Sequence, residues 1–134
     1  NINCKLGNTE LKSMQEQKYL GITIDHKLKF EKHINEICTK AASRINAIKR
    51  IRRYTTTKQC LNIYKATVLP LFDIGDILWR NAGNTLTNQL QVQQNKALRV
   101  IFHKKHSDSV RIEELTSNLI PLELRRKINH LTFI

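Results

Sequence analysis

An α+β fold, mostly α, is predicted: a short N-terminal antiparallel β unit followed by a bundle of four or five helices. Three observations predict it. Phe30, Ile34, Ile37, Ala41, Ile45 and Ile48 recur at spacings of three and four, which puts them on one helical stripe, and no Gly or Pro interrupts residues 30–54. Further apolar stripes follow, separated by Thr55-Thr56-Thr57, Pro70, Gly83-Asn84 and Pro121. The first 25 residues lack that period; there Ile2, Cys4 and Leu6 alternate, and Gly7-Asn8 is a turn signal. The expected division is a strand unit over 1–27 and a helical unit over 28–134. A chain of 134 residues is long enough for one modest core.

Taken in order, residues 10–14 read as the strand returning after Gly7-Asn8. Tyr19, Leu20, Ile22 and Ile24 form a short apolar, β-branched stretch, and Gly21 inside it predicts a bulge or a close backbone approach. So small a unit must pack against the helices or a further sheet. Residues 25–29 lead into the long helix. Its acids, Glu31 and Glu36, come early, and its bases, Arg44, Lys49, Arg50, Arg52 and Arg53, come late, as the helix macrodipole favours. At about 100° per residue, Lys49, Arg50 and Arg53 fall away from the apolar stripe, whereas Arg52 falls toward it and is expected to pack or cap. The three threonines end this helix and offer N-caps to a second, whose apolar face is Cys60, Leu61, Tyr64, Val68 and Leu69.

Pro70 kinks or ends that second helix, because it removes a backbone donor and crowds the preceding turn. Leu71, Phe72, Ile74, Ile77, Leu78 and Trp79 then read as a buried helical continuation with Trp79 as a core anchor. After Gly83-Asn84, Thr85 or Thr87 is expected to cap a third helix carrying Leu86, Leu90, Ala97, Leu98, Ile101 and Phe102. Residues 103–108 form a basic polar loop, and 110–119 a short helix. Pro121 opens the last helix, with Leu124, Ile128, Leu131 and Phe133 as its apolar side.

Lys and Arg number 23 against 11 Asp and Glu, a net charge of +12. That excess is an argument about partners, not fold. Between Glu36 and Asp73 there is no acid, while Lys40, Arg44, Lys49, Arg50, Arg52, Arg53, Lys58 and Lys65 intervene. A second acid-free stretch, from Asp76 to Asp108, carries Arg80, Lys96, Arg99, Lys104 and Lys105. Such runs are the electrostatic footprint of a nucleic-acid binder. An anionic membrane, an acidic protein or a merely solvated basic surface remain alternatives. Lys49, Arg50, Arg53, Lys58, Lys40 and Arg44 are the candidate nucleic-acid contacts, with Lys96, Arg99, Lys104 and Lys105 as the alternative surface. Cys4, Cys38 and Cys60 form no CxxC pair and read as buried thiols in a reducing compartment, so an intracellular location, cytoplasm or nucleus, is expected. No apolar run approaches the ~20 residues of a membrane span, and no membrane partner is expected. Asn1 opens without Met or a signal-peptide pattern, so the chain reads as a segment of something longer.

No catalytic or metal-binding residues are assigned. Asp73 and Asp76 share a helix face, but a two-metal centre needs more ligands on a rigid scaffold, and capping or pairing with Arg80 is the simpler role. His103 and His106 flank Lys104-Lys105, a poor setting for a cation. No P-loop, dinucleotide or nucleophile motif is present. Of the aromatics, Trp79, Tyr64 and Phe72 fit core positions, and only Tyr54, among arginines, is a candidate for base stacking.

Lys18-Tyr19-Leu20-Gly21, followed by Ile24-Asp25, Leu28, Phe30 and His33-Ile34, resembles the region after the catalytic core of non-LTR (LINE-type, jockey-like) retrotransposon reverse transcriptases. There a KYLG-[VI] strand near the end of the palm leads through a D-x-x-L-x-[WF]-x-x-H-I connection into a helical thumb. The likeness runs on through Leu61, Tyr64-Lys65, Pro70, Gly75, Trp79, Leu90, Gln94, Lys96 and Ala97-Leu98-Arg99, and resumes at Leu119-Ile120-Pro121-Leu122. Two departures stand out: Ile74 where the family often has Tyr, and Asp73 in a normally neutral segment. The resemblance implies a fragment of an RNA-directed DNA polymerase whose palm aspartates, in an F-A-D-D-like motif with Mg²⁺, are absent from this chain. It would not itself be an enzyme and would hold no cofactor. It implies that Tyr19, Leu20 and Gly21 lie near the primer grip, that the long helix is a thumb helix gripping the template–primer duplex by its phosphates, and that the rest of the palm is a partner. A self-contained basic helical RNA/DNA-binding domain, or a helical protein-interaction module docking through the stripe after Pro70, are the alternatives.

Overall fold

The computed structural model describes residues 4–11, 15–20, 22–25, 30–74 and 83–132. Alternation and turn chemistry produce two separate hairpins. Strands β1 (Cys4–Leu6) and β2 (Thr9–Leu11) pair antiparallel with Leu6 opposite Thr9. The two-residue turn needs positive φ, which Gly7 adopts at 63° without a Cβ penalty. Strands β3 (Glu16–Tyr19) and β4 (Ile22–Asp25) pair with Tyr19 opposite Ile22. The stretch expected to be one bulged strand is therefore a hairpin. Leu20 begins its connection at φ 49°, and Gly21 lies outside the described residues.

The second hairpin is fastened to helix α1 (Glu31–Ile51). The Thr23 N–H donates to His33 Nδ1 (3.3 Å), Thr23 Oγ1 donates to Glu36 Oε2 (3.0 Å), and Lys32 pairs with Glu16. Ile22 and Ile24 pack beside these bonds against the core. His33, a polar residue beside the apolar stripe in the sequence, is 2 % exposed in the fold and joins that stripe. Nδ1 accepts a hydrogen bond, so the imidazole is neutral with its proton on Nε2. Burial pushes its pKa below the ordinary 6.5, against the opposing pull of the Ile74 backbone and Glu36.

All six residues of the expected α1 stripe are buried. A 3₁₀ turn, Arg52–Tyr54, continues the helix to the residue where its end was expected. Helix α2 (Thr57–Thr67) starts on a capping box: the Gln59 N–H donates to Thr56 Oγ1 (3.2 Å), and the Thr56 N–H donates to Gln59 Oε1 (2.9 Å). The chain bends at Val68 into helix α3 (Leu69–Asp73), with Pro70 in its first turn, where a missing N–H costs nothing. Leu71 and Phe72 are buried as expected. Helix α3 ends at Asp73, where Ile74 turns extended (ψ 112°) and, against its expected burial, is 40 % exposed. Residues 75–82, with Asp76, Trp79 and Arg80, lie outside the described residues.

Helix α4 (Asn84–Ile101) is capped by Gly83, and neither threonine takes the N-cap; Thr87 Oγ1 donates back to the Asn84 carbonyl (2.9 Å). Leu90, Ala97, Leu98 and Ile101 bury in the core, where α4 packs on α1 and α2. Helices α5 (Arg111–Thr116) and α6 (Leu122–Thr132) complete the bundle. Both α4 and α5 end in a left-handed residue that turns the next N–H back onto the helix. His103 (φ 53°) lets Lys104 N–H reach the Arg99 carbonyl, and Asn118 (φ 55°) lets Leu119 N–H reach the Glu114 carbonyl. The fold is α+β and mostly helical, the expected class.

The last helix overturns its expected face. Leu124, Ile128 and Leu131 are exposed, while Leu122 and Arg126 are buried; the side chain of Phe133 lies outside the described residues. Directional bonds set the rotation instead. Arg125 makes a two-pronged pair with Asp73 (2.9 and 2.7 Å), Asn129 Nδ2 also reaches Asp73, and the Leu122 N–H is capped by Gln91 Oε1 (2.9 Å). Asp73 thus pairs across the bundle with Arg125 and Asn129, while the expected partner Arg80 lies outside the described residues.

His33 generates a pH prediction. Its folded pKa lies below 6.5, so the unfolded chain takes up the proton first. This contribution to stability is complete above pH 6.5 and declines as pH falls from there through the folded value. Thermal melts stepped down from neutral pH should show a falling Tm, and His33→Gln should flatten that fall while keeping an acceptor for Thr23. An unchanged slope in the variant would assign the pH dependence to other groups.

Candidate nucleic-acid interface

The basic end of α1 was expected to face solvent, and Lys49, Arg50 and Arg53 are exposed. Arg52 turns inward, as its angle required. Its Nε donates to the Ile101 carbonyl (2.7 Å), Nη1 to the Thr55 carbonyl (2.8 Å) and Nη2 to Thr57 Oγ1 (2.8 Å). One guanidinium therefore ties together the end of α1, the last residue of α4 and the start of α2. A cation on a helix C-terminal carbonyl is favourable in its own right.

That tie brings two stretches of chain, about 50 residues apart in sequence (Arg52 to Ile101), to opposite sides of a groove of about 760 Å³. Ala42, Ile45 and Val100 supply its apolar surface. Lys49, Arg52 and Arg53 line it from α1, and Lys96, Arg99 and Lys104 from α4 and the loop that follows. No carboxylate lines it among the described residues. Gln93, Lys96, Val100 and His103 recur at spacings of three and four, which is one face of α4 running into the loop. The left-handed His103 then carries Lys104 and His106 past the groove mouth.

The cations are not equivalent. Arg52 is spent on three protein acceptors, Arg99 Nε donates to the Asp108 carbonyl (3.1 Å), and Lys104 pairs with Glu113 (2.8 Å). The hydrogen bond between Lys104 and Glu113 raises the lysine pKa and lowers that of the glutamate. Lys49, Arg53 and Lys96 make no hydrogen bond or ion pair among the described residues, so their charge is available to a ligand. Arg53 instead sits over the Tyr54 ring, 5.3 Å from its centroid.

The other candidates lie elsewhere. Arg50 is exposed but does not line this groove. Arg44 donates to the Thr67 carbonyl at the end of α2, and Lys58 is exposed on the first turn of α2. Lys40 lines a second, shallower groove beside the β3–β4 hairpin, where Glu16, Glu31 and Glu36 balance Lys18 and Lys32. That mixed lining is poorly suited to a phosphate backbone. Tyr19 and Leu20 stand exposed (65 % and 84 %) at the tip of the hairpin. The second wall of the basic groove was readable only as an acid-free stretch; nothing in its spacing to α1 signals that the two converge. Among the described residues no three His, Cys, Asp or Glu side chains gather as metal ligands, and no helix is long and apolar enough to cross a membrane.

A helical bundle with an acid-free cationic groove at one end, preceded by two small hairpins, is chemically fitted to hold a polyanion. Comparison with known proteins points to a particular group. The chain is 32% identical over 89 residues, 64% of its length, to the probable RNA-directed DNA polymerase from transposon BS of Drosophila melanogaster. It is 30% identical over 87 residues (63%) to the probable RNA-directed DNA polymerase from transposon X-element and 35% over 91 residues (65%) to the RNA-directed DNA polymerase from mobile element jockey, both of the same fly. The matched segment spans about 10% of each of these relatives. No family model and no solved structure matches the chain. The chain contains a region related to the jockey-like reverse transcriptases of non-LTR retrotransposons, the group that the Lys18-to-Gly21 pattern led us to expect.

The two arginines at the end of α1 yield a contrast. Arg52→Ala should cost roughly 1.5–3 kcal/mol, because it removes charged hydrogen bonds and leaves acceptors unpaired. Arg53→Ala should stay within about 0.5 kcal/mol of wild type. Urea unfolding of the two variants measures this. Equal losses would mean that Arg52 is not the tie described.

Proposed function

We propose that this chain is the end-of-palm and thumb portion of a retrotransposon reverse transcriptase, a strand unit over 1–27 and a helical thumb over 28–134, and that it holds the template–primer duplex by its phosphates in the groove between α1 and α4. The observation that carries this reading is the convergence of Lys49, Arg53 and Lys96 on one groove, with no acidic partner or acidic lining among the described residues. Phosphate contacts of this kind position a duplex without reading its sequence. Arg50 and Lys58 extend the basic surface beyond the groove, while Arg44 serves the end of α2 first. The exposed Tyr19-Leu20 tip belongs, on this reading, near the primer end, and the rest of the palm is the partner of the hairpins. Metal-dependent nucleotide addition, with Mg²⁺, falls to palm aspartates that this chain does not contain.

Two measurements test the reading. In a salt titration against two duplexes of unrelated sequence, changing Lys49, Arg53 and Lys96 together to Gln should lower the slope of log K against log salt by about 0.9 per lost contact on a B-form duplex, equally for both. An unchanged slope removes the groove as the duplex site. On a primed RNA template with deoxynucleotides and Mg²⁺ or Mn²⁺, the chain alone should not extend the primer. Robust extension that survives both Asp73→Ala and Asp76→Ala would mean that this chain carries an active site not assigned above.

A further inference from the structure

We propose that Tyr54 is a stacking site for an unpaired base at the rim of the groove, so that this surface recognises a junction between duplex and single strand. This rests on the duplex-holding reading above and adds a second ligand element to it. Three observations carry it. Tyr54 is 78 % exposed, the most exposed aromatic side chain among the described residues. Its neighbour Arg53 lines the basic groove and at the same time sits over the Tyr54 ring at 5.3 Å, which covers one face and leaves the other to the ligand. The turn that presents the pair is also rigidly held: Arg52, between α1 and Arg53, is fixed by its three bonds to Ile101, Thr55 and Thr57, and Thr55 Oγ1 donates to the Ile51 carbonyl (3.0 Å).

An aromatic ring freely exposed to water loses little on its own, so exposure alone would not assign a role. The coupling to Arg53 does. A guanidinium stacked on a ring and lining a phosphate groove offers one continuous platform, cation for the backbone and π-face for the base. Every base has a π-face, so the site is expected to accept any sequence. A fully paired duplex keeps its bases stacked on one another and has none free for Tyr54, whereas a strand leaving the duplex does. In a primed template the free base is supplied by the strand beyond the duplex, and Tyr54 is the residue that would hold it.

The test uses the full chain and three probes: a blunt RNA–DNA duplex, the same duplex with a short single-stranded extension, and the single strand alone. Wild type should prefer the extended duplex over the blunt one. Tyr54→Ala should lose roughly 5- to 150-fold of its affinity for the extended duplex and little for the blunt one, the range for removing one aromatic–base stack. Tyr54→Phe should keep the preference, since the ring and not the hydroxyl stacks. Circular dichroism should show both variants folded, because the side chain is exposed. Equal binding of blunt and extended duplexes by wild type, or an unaltered preference in Tyr54→Ala, overturns the inference while leaving the groove reading intact. Binding of the single strand alone, lost in Tyr54→Ala, with no blunt-duplex binding by wild type, supports the stacking site and overturns the groove.

Discussion

Helix α1 can lie where it does because its apolar stripe, Ile34 to Ile48, has α4 to bury against. Leu90, Ala97, Leu98 and Ile101 face it, and Cys60 and Tyr64 of α2, Val68 at the bend, and Leu71 and Phe72 of α3 fill the remaining sides. Fully burying one such aliphatic side chain stabilises by about 1.5–3 kcal/mol, so this seam outweighs any single polar contact in the protein. The groove is a consequence of the seam. Where the two helices end together, their C-terminal carbonyls attract cations, and Arg52 closes the junction by bonding to Ile101.

Apolar packing alone would let these helices slide and rotate. A buried polar chain prevents that. Tyr64 O–H donates to Gln94 Oε1 (2.9 Å), Gln94 Nε2 donates to Glu114 Oε1 (2.5 Å) and to the Ile120 carbonyl (3.2 Å), and Gln91 Nε2 reaches the same Glu114 oxygen (2.9 Å). Burial, reinforced by Glu114, pushes the Tyr64 pKa up, so its phenol stays a donor. Each link fixes one element against another: α2 to α4, α4 to α5 and to the connection that leads into α6. Leaving any member unpaired inside this core would cost about 1–3 kcal/mol, which makes the arrangement specific as well as stable. The basic groove is held to this frame by Arg52 at one end, while the β3–β4 hairpin is held at the other by Thr23, His33 and Glu36.

Much of this architecture is written in local periodicity. The α1 stripe, the Thr56 cap, the break around Pro70 and the α4 face follow from spacing and from the chemistry of caps and prolines, all of which act within a few residues. Where sequence reasoning failed, a long-range directional bond decided. Leu124, Ile128 and Leu131 have the helical period of a core face, yet Asp73 claims Arg125 and Asn129 and turns that stripe outward. Tyr19 to Ile24 looks like one strand, yet Tyr19 pairs with Ile22 and Leu20 leaves the strand in a left-handed conformation. Thr85 and Thr87 resemble caps, but Gly83 begins the helix.

The sequence by itself determined the class of fold, the kinship signalled by Lys18-Tyr19-Leu20-Gly21 and the segments that follow, and the excess of positive charge. Those properties depend on residue identity and near-neighbour spacing. Tertiary structure alone decided which cations act together. Lys49 and Arg53 belong to one acid-free stretch and Lys96 and Lys104 to another, and only the packing of α1 on α4 sets them across a single groove. It also sorted cations of identical type. Arg52 and Arg53 are adjacent in the chain, but one is consumed by backbone acceptors and the other stays open to solvent. The physical reason is that charge is a property of a residue, whereas availability of that charge is set by what the fold places within reach of it.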